Sequence, residues 1–153
     1  MAFEAQMSSL QAVSRASATE MAALQSKARE LGRDSAYSAT ESGKAMEFLS
    51  MAGLKPGQVM ASVGDTLNLA AAGALDLAEA ADIASNVLTG FNLRADQMGR
   101  VSDVMAEGAA SSNTNIRQLG DAMSYVAPQA AAAGWSLEQT VAAIGMLGNA
   151  GIQ

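Results

Sequence analysis

The 153 residues predict an all-α protein of about seven helices with Gly-terminated turns. Apolar residues recur at helical spacing along nearly the whole chain, prolines number only two, and β-branched runs are scarce. Alanine fills 34 positions while aromatics make up 4 %, so the apolar content lies mostly in small side chains that let helices pack at short range.

The first helix reads as the longest. Phe3, Met7, Leu10, Ser14, Ser17, Met21, Leu24, Ala28 and Leu31 step alternately by four and three, a heptad seam interrupted in its middle by two serines. Leu31-Gly32 supplies a glycine stop, so the helix holds about 30 residues and measures roughly 45 Å. Such a long, thinly hydrophobic helix needs a partner. The chain therefore divides into a coiled-coil-like helix (1–32) and a helical core module (33–153) packed as antiparallel hairpins. Phe3, Met7, Leu10, Met21, Leu24 and Leu31 form a candidate self-association seam; the alternative is packing on the later helices of the same chain.

Ser38-Ala39-Thr40-Glu41 matches a capping box, and Ala45, Met46, Leu49 and Ala52 give the buried stripe of a second helix closing at Gly53. Pro56 suits the first turn of a third, with Val59, Met60, Val63, Leu67 and Ala70 inward. Asp76 and Glu79 open a fourth, whose Leu77, Ala80, Ala81, Ala84, Val87, Leu88 and Phe91 make the cleanest stripe before Gly90 ends it. A fifth runs from Ala95 to Ala110 with Met98, Val101 and Met105 inward, and Ser111 to Asn115 is a turn cluster. A sixth starts near Ile116 and is kinked or stopped by Pro128. The last follows the box Ser136-Leu137-Glu138-Gln139, buries Val141, Ile144 and Leu147, and ends at Asn149-Ala150-Gly151.

The connections echo one another. Ala52-Gly53-Leu54-Lys55-Pro56-Gly57-Gln58 and Ala133-Gly134-Trp135-Ser136-Leu137-Glu138-Gln139 share Ala-Gly, a following apolar residue and a Gln five after the Gly. Ala61 and Asn68 recur as Ala142 and Asn149 at the same offset, and Gly90-Phe91 with Gln97 is a looser third copy. One reading is a single solution reused by short helix connections; the other is duplication.

Composition excludes much chemistry. Cysteine and histidine are absent, which removes thiol nucleophiles, imidazole bases, disulfides and the usual transition-metal ligands. Nine basic against fifteen acidic residues give a net charge of −6, the wrong sign for gripping phosphates, so nucleic-acid binding is not expected. No basic residue lies between Lys55 and Arg94, an interval holding Asp65, Asp76, Glu79 and Asp82, which reads as an acidic face. The charge-free run Ala122 to Leu137 is shorter than the roughly 18 to 20 apolar residues of a membrane span. The start lacks the basic and apolar regions of a secretion signal.

Asp76, Glu79 and Asp82 stand at i, i+3 and i+6, a weak pattern for a hard cation that a solvated helix N-terminus explains as well. No carboxylate pair has a neighbouring base, oxyanion donor or Gly-rich phosphate loop, so no catalytic, cofactor or metal residue is assigned. An enzyme would need carboxylates alone, from Asp76, Glu79, Asp82 and Asp103. Met46, Met60, Met98, Met105, Met123 and Met146 coincide with the inward stripes and read as core filler, though methionines also make adaptable binding surfaces. Trp135, before a capping box, reads as one half of a hydrophobic staple or as a partner anchor.

Several longer stretches go beyond generic helix. Leu31-Gly32-Arg33-Asp34-Ser35-Ala36-Tyr37-Ser38-Ala39, Ala45 to Gly53, Leu67 to Ala72, Asp76 to Ile83, Leu119 to Met123, Pro128 to Gly134, Ser136 to Gln139 and Gly148 to Ile152 follow in an order that resembles the core region of TP901-type phage tail tape measure proteins. The resemblance implies a structural protein of a phage or prophage tail, made in the host cytoplasm. Such a protein lies inside the tail tube, sets tail length during assembly and leaves ahead of the DNA. It also implies tail tube protein, tail assembly chaperones, tail tip proteins and further copies of itself as partners, and no cofactor. Family members are much longer, so the chain reads as a segment whose pattern continues beyond Asn149-Ala150-Gly151-Ile152. A single rod of this length would measure roughly 230 Å. The regular turns predict instead a folded module, with the length-setting repeats elsewhere. The rival class is a membrane-active helical protein that enters the host envelope or forms a pore, since Ala/Gly/Met-rich helices pack closely in lipid.

Overall fold

A computed structural model describes residues 1–151, and Ile152 of the terminal stretch lies outside them. Among the described residues are eight α-helices and no strand: α1 (Ala2–Ser14), α2 (Ala18–Asp34), α3 (Ala39–Met51), α4 (Pro56–Gly73), α5 (Leu77–Gly90), α6 (Met98–Ala110), α7 (Ile116–Ala132) and α8 (Leu137–Asn149). A 3-10 turn (Ala95–Gln97) leads into α6.

The single long first helix is not formed. Arg15 takes the left-handed conformation (φ 54°), and Ser17 starts a new helix. Its hydroxyl accepts from the Glu20 N–H at 3.1 Å while Glu20 Oε1 accepts from the Ser17 N–H at 2.9 Å. Satisfying two orphan donors reciprocally stabilises this start by about 1 kcal/mol, enough to break a weak seam. Gly32 does not stop α2, which runs on to Asp34; a Cβ at Gly32 would lie 2.7 Å from the Ala39 nitrogen, so the residue serves close approach. Nor does Pro128 stop α7, which continues through it to Ala132. Ser124 and Pro128 are exposed, so the carbonyl that the ring leaves without a donor faces water.

From α2 onward consecutive helices pack on each other, and every helix also packs on the one two places along. The result is two rows, α1-α3-α5-α7 and α2-α4-α6-α8, in the manner of a helical solenoid. Row neighbours run parallel. Glu79 of α5 pairs with Arg117 of α7, the Cβ position of Gly120 lies on Ile83, and that of Gly90 on Ala127. In the other row Arg100 of α6 pairs with Glu138 of α8; both ion pairs span 38 residues, the length of one two-helix unit.

The connectors share one geometry. Gly53, Asn92 and Gly134 are left-handed (φ 105°, 52° and 85°), and stand 39 and 42 residues apart. The N–H groups of the next residues, Leu54, Leu93 and Trp135, donate to the carbonyls of Leu49, Leu88 and Ala130 at 3.1, 2.8 and 2.9 Å. The N–H groups of Lys55, Arg94 and Ser136 then donate to Gln58, Gln97 and Gln139 Oε1 at 2.8, 3.0 and 2.9 Å. The third copy is thus Asn92-Leu93, two residues after the Gly90-Phe91 register read from sequence. After α4 the left-handed residue is Ala74 (φ 50°), with Asp76 capping α5.

The core forms two joined clusters. Met7, Leu10, Met21, Leu24, Met46, Leu49 and Val63 head the first; Leu69, Val87, Met98, Met105, Leu119, Met123 and Val141 head the second; Tyr37 and Leu77 pack against both. Residues on either side of position 32 therefore share one cluster. Buried hydroxyls bond back within their own helix, Ser50 to the Met46 carbonyl at 2.9 Å and Thr66 to that of Ser62 at 2.8 Å, so they pack among apolar groups without an unmet donor.

Candidate functional site

Asp76 and Glu79, two of the carboxylates singled out in the sequence, are held by structural partners. Asp76 Oδ1 accepts from the Glu79 N–H at 2.8 Å, capping α5, and Glu79 Oε2 lies 2.8 Å from Arg117 Nη2. Asp103 lies near Asp65 of α4, whose carboxyl is raised above its usual range by burial and then by the Asp103 charge, with Lys27 opposing. Glu138 is the reverse case. Both its oxygens accept from Arg100, at 2.7 and 2.6 Å, and this hydrogen-bonded pair holds its pKa at about 2. Among the described residues no group of three or more acidic side chains is placed to hold a metal ion.

The seam residues are brought together, though on two helices. Met7 and Leu10 of α1 and Met21 and Leu24 of α2 are buried in the first cluster, with Phe3 and Leu31 packed against it. Arg29 of α2 stacks on Phe3 with its guanidinium 5.0 Å from the ring centre, clasping the two helices. Phe3, Met7 and Met21 also line a surface groove between the two helices.

Among the described residues, most of the exposed large apolar side chains are at the other end, with Met1, Val13 and Met51 elsewhere. Tyr125, Trp135, Met146 and Leu147 are 78, 48, 72 and 50 % exposed. The Trp135 N–H closes the α7–α8 connector while its ring lines a groove with Gln139, Ala142, Ala143 and Met146. Met46, Met98, Met105 and Met123 are buried as expected of core filler, but Met146 is not. Gly145 and Gly148 are the α8 residues that press on Ser112 and Thr114, which turns Met146 outward. The sequence signal for this face was the absence of any charge from Gln139 to Gln153. What the arrangement offers is surface for packing other helices.

Among the described residues no helix is long and apolar enough to cross a membrane. Residues 25–153 match the model of the phage-related minor tail proteins. The chain belongs to this family. Over 151 residues, 99 % of its length, it is 40 % identical to the tape measure protein of Pneumococcus phage Dp-1. Over 133 residues, 87 % of its length, it is 33 % identical to the probable tape measure protein of Escherichia phage P2. It spans 13 % and 16 % of those relatives. No solved structure matches it. Within this minor tail protein the family match begins inside α2 and takes in the whole of α3 to α7, the connectors at Gly53, Asn92 and Gly134, and α8 with its open face.

Proposed function

We propose that the chain is a folded helical module of a tape measure protein, a non-enzymatic structural part of a phage tail. The observation that carries the reading is the 40 % identity to a protein of that name along nearly the whole chain. Two of the acidic side chains singled out as candidates for chemistry support it, since Asp76 caps α5 and Glu79 pairs with Arg117. The parent protein would lie in the tail tube, set its length during assembly and be released ahead of DNA. Its partners would be tail tube protein, assembly chaperones, tail tip proteins and further copies of itself.

A two-row array adds far less length than a rod. Four helices per row at about 10 Å spacing give roughly 40 Å, against roughly 230 Å for the same residues as one helix. An in-frame deletion of these residues from the phage, read by electron microscopy of tails, is expected to shorten them by no more than the smaller figure. Shortening by the larger figure would overturn the folded-module reading. Absence of peptides from this chain in purified tails would overturn the structural one.

A further inference from the structure

The two ends of the array differ in kind. At the α2 end, Glu20, Arg29, Glu30, Arg33 and Asp34 are exposed, the polar outer surface of a terminal cap. At the other end, α8 carries one charge, Glu138 in its first turn, and between Gln139 and Asn149, both exposed, its outward positions are Ala142, Met146 and Leu147. A helix apolar on both sides belongs between two others. Every helix from α1 to α6 is covered by the one two places along; α7 and α8 present the corresponding faces open, with Tyr125 and Val126 on α7 exposed. The backbone as far as Gly151 resembles the exit from α4, the matching helix of the same row: Ala150 caps α8, Gly151 is left-handed (φ 87°), and the next residue in the sequence is the apolar Ile152, as Leu75 follows left-handed Ala74.

We propose that the α7–α8 face receives a further two-helix unit of the same solenoid, supplied by the longer tail polypeptide and entered through Gly151. Its first helix lies along α7 and its second along α8, covering Met146 and the Trp135 groove. The occupant is a continuing segment rather than a second copy because the geometry that delivers a helix to this face is already set in the backbone, and the relatives are about six to eight times the length of the stretch they share with this chain. The inference rests on reading the chain as one stretch of a longer tail protein. It is tested in solution, so it can fail while the tail experiment succeeds.

The chain lacks cysteine, so Met146→Cys introduces a single thiol. Its reaction rate with a soluble disulfide reagent is compared between residues 1–153 and the same residues followed by the next forty or so of the natural polypeptide. Met123→Cys, in the core, reports folding of both. The expected result is at least tenfold slower labelling at position 146 in the longer protein, with a blue-shifted Trp135 emission, and a monomer by light scattering. Equal labelling in the two proteins would overturn the proposal, whether or not the added residues are helical. So would protection that already appears in the shorter protein, rises with concentration and accompanies a dimer mass, because the occupant would then be a second copy.

Discussion

Gly120→Ala and Gly64→Ala make the same chemical change inside two helices, and the structure predicts opposite outcomes. In a helix interior alanine is favoured over glycine by about 1 kcal/mol. At Gly64 in α4 a new Cβ meets only Leu31 Cδ2, at 3.8 Å, an ordinary contact, so the full gain of about 0.5–1 kcal/mol is expected. At Gly120 in α7 the new Cβ would lie 2.6 and 2.7 Å from Ile83 Cγ1 and Cδ1 and 3.1 Å from Cγ2. Carbon atoms rest at about 3.5–4.0 Å, so α5 and α7 must separate or Ile83, 8 % exposed, must leave its rotamer. Overpacking costs about 1–3 kcal/mol, leaving Gly120→Ala about 0–2 kcal/mol less stable than the parent. Urea unfolding followed by circular dichroism reads both variants, and a third variant identifies the cause. Ile83→Ala alone should cost about 2–4 kcal/mol. On that background Gly120→Ala should turn stabilising, a coupling of about 1–3 kcal/mol. If Gly120→Ala stabilised the parent as Gly64→Ala does, α5 and α7 would not be in this contact and the two-row packing would be wrong.

The N-terminal break is tested at Ser17: Ser17→Ala should cost about 1 kcal/mol, as Ser38→Ala should, whereas a continuous helix through 14–17 would make the first substitution neutral or stabilising in thermal unfolding. Ala74→Gly should stabilise by about 0.5–1 kcal/mol by relieving a left-handed L-residue, and Gly134→Ala should destabilise by about 1 kcal/mol or more; equal signs in urea titrations would refute a shared connector geometry. Because Glu138 titrates at about 2 in the folded protein, below its unfolded value near 4.3, its ion pair contributes above that value and the contribution is lost as pH falls toward 2. The pair is half-exposed, so Glu138→Gln should cost no more than about 1 kcal/mol at pH 7, and the gap to the parent should close by pH 2.5 in urea midpoints. Asp65 has the opposite sign: raised by burial and by Asp103, it opposes folding above its folded pKa, so Asp65→Asn should raise the melting temperature at pH 7 and lose that advantage below the unfolded value near 3.9.

The helices and most of their inward stripes were legible because periodicity, caps and connectors agree at each of them. Where they disagree, the local signal decides the structure. Ser17-Ala18-Thr19-Glu20 is the same tetrapeptide as Ser38-Ala39-Thr40-Glu41, yet a heptad step running across it made the serines look like defects in a seam instead of the start of α2. The connector echo at Gly53 and Gly134 was visible, and the structure places Asn92 between them, making their separation two solenoid units. The intermediate copy was hidden because asparagine, not glycine, takes the left-handed position there. The open face of α8 was missed for a different reason: an apolar stripe announces burial and cannot say which neighbour supplies it.

Glycine carries the largest change in meaning. Read as punctuation, it should mark helix ends, and Gly53 and Gly134 do. Seven others mark contacts within a row. A Cβ at Gly43 of α3 would meet Met7 of α1; at Gly99 of α6, Asp65 of α4; at Gly108 of α6, Val141 of α8; at Gly90 and Gly120, Ala127 and Ile83 between α5 and α7. Gly145 and Gly148 of α8 touch Ser112 and Thr114 in the turn after α6. Each gives up about 1 kcal/mol of helix propensity to bring parallel helices closer than side chains would allow. With aromatics at 4 % and alanine the commonest residue, the chain has few bulky groups to bridge wider gaps, so close approach is how its rows keep contact. Glycines inside the helices therefore divide between the two rows: Gly43, Gly90 and Gly120 serve one, Gly99, Gly108, Gly145 and Gly148 the other, and neither set ends a helix by turning left-handed.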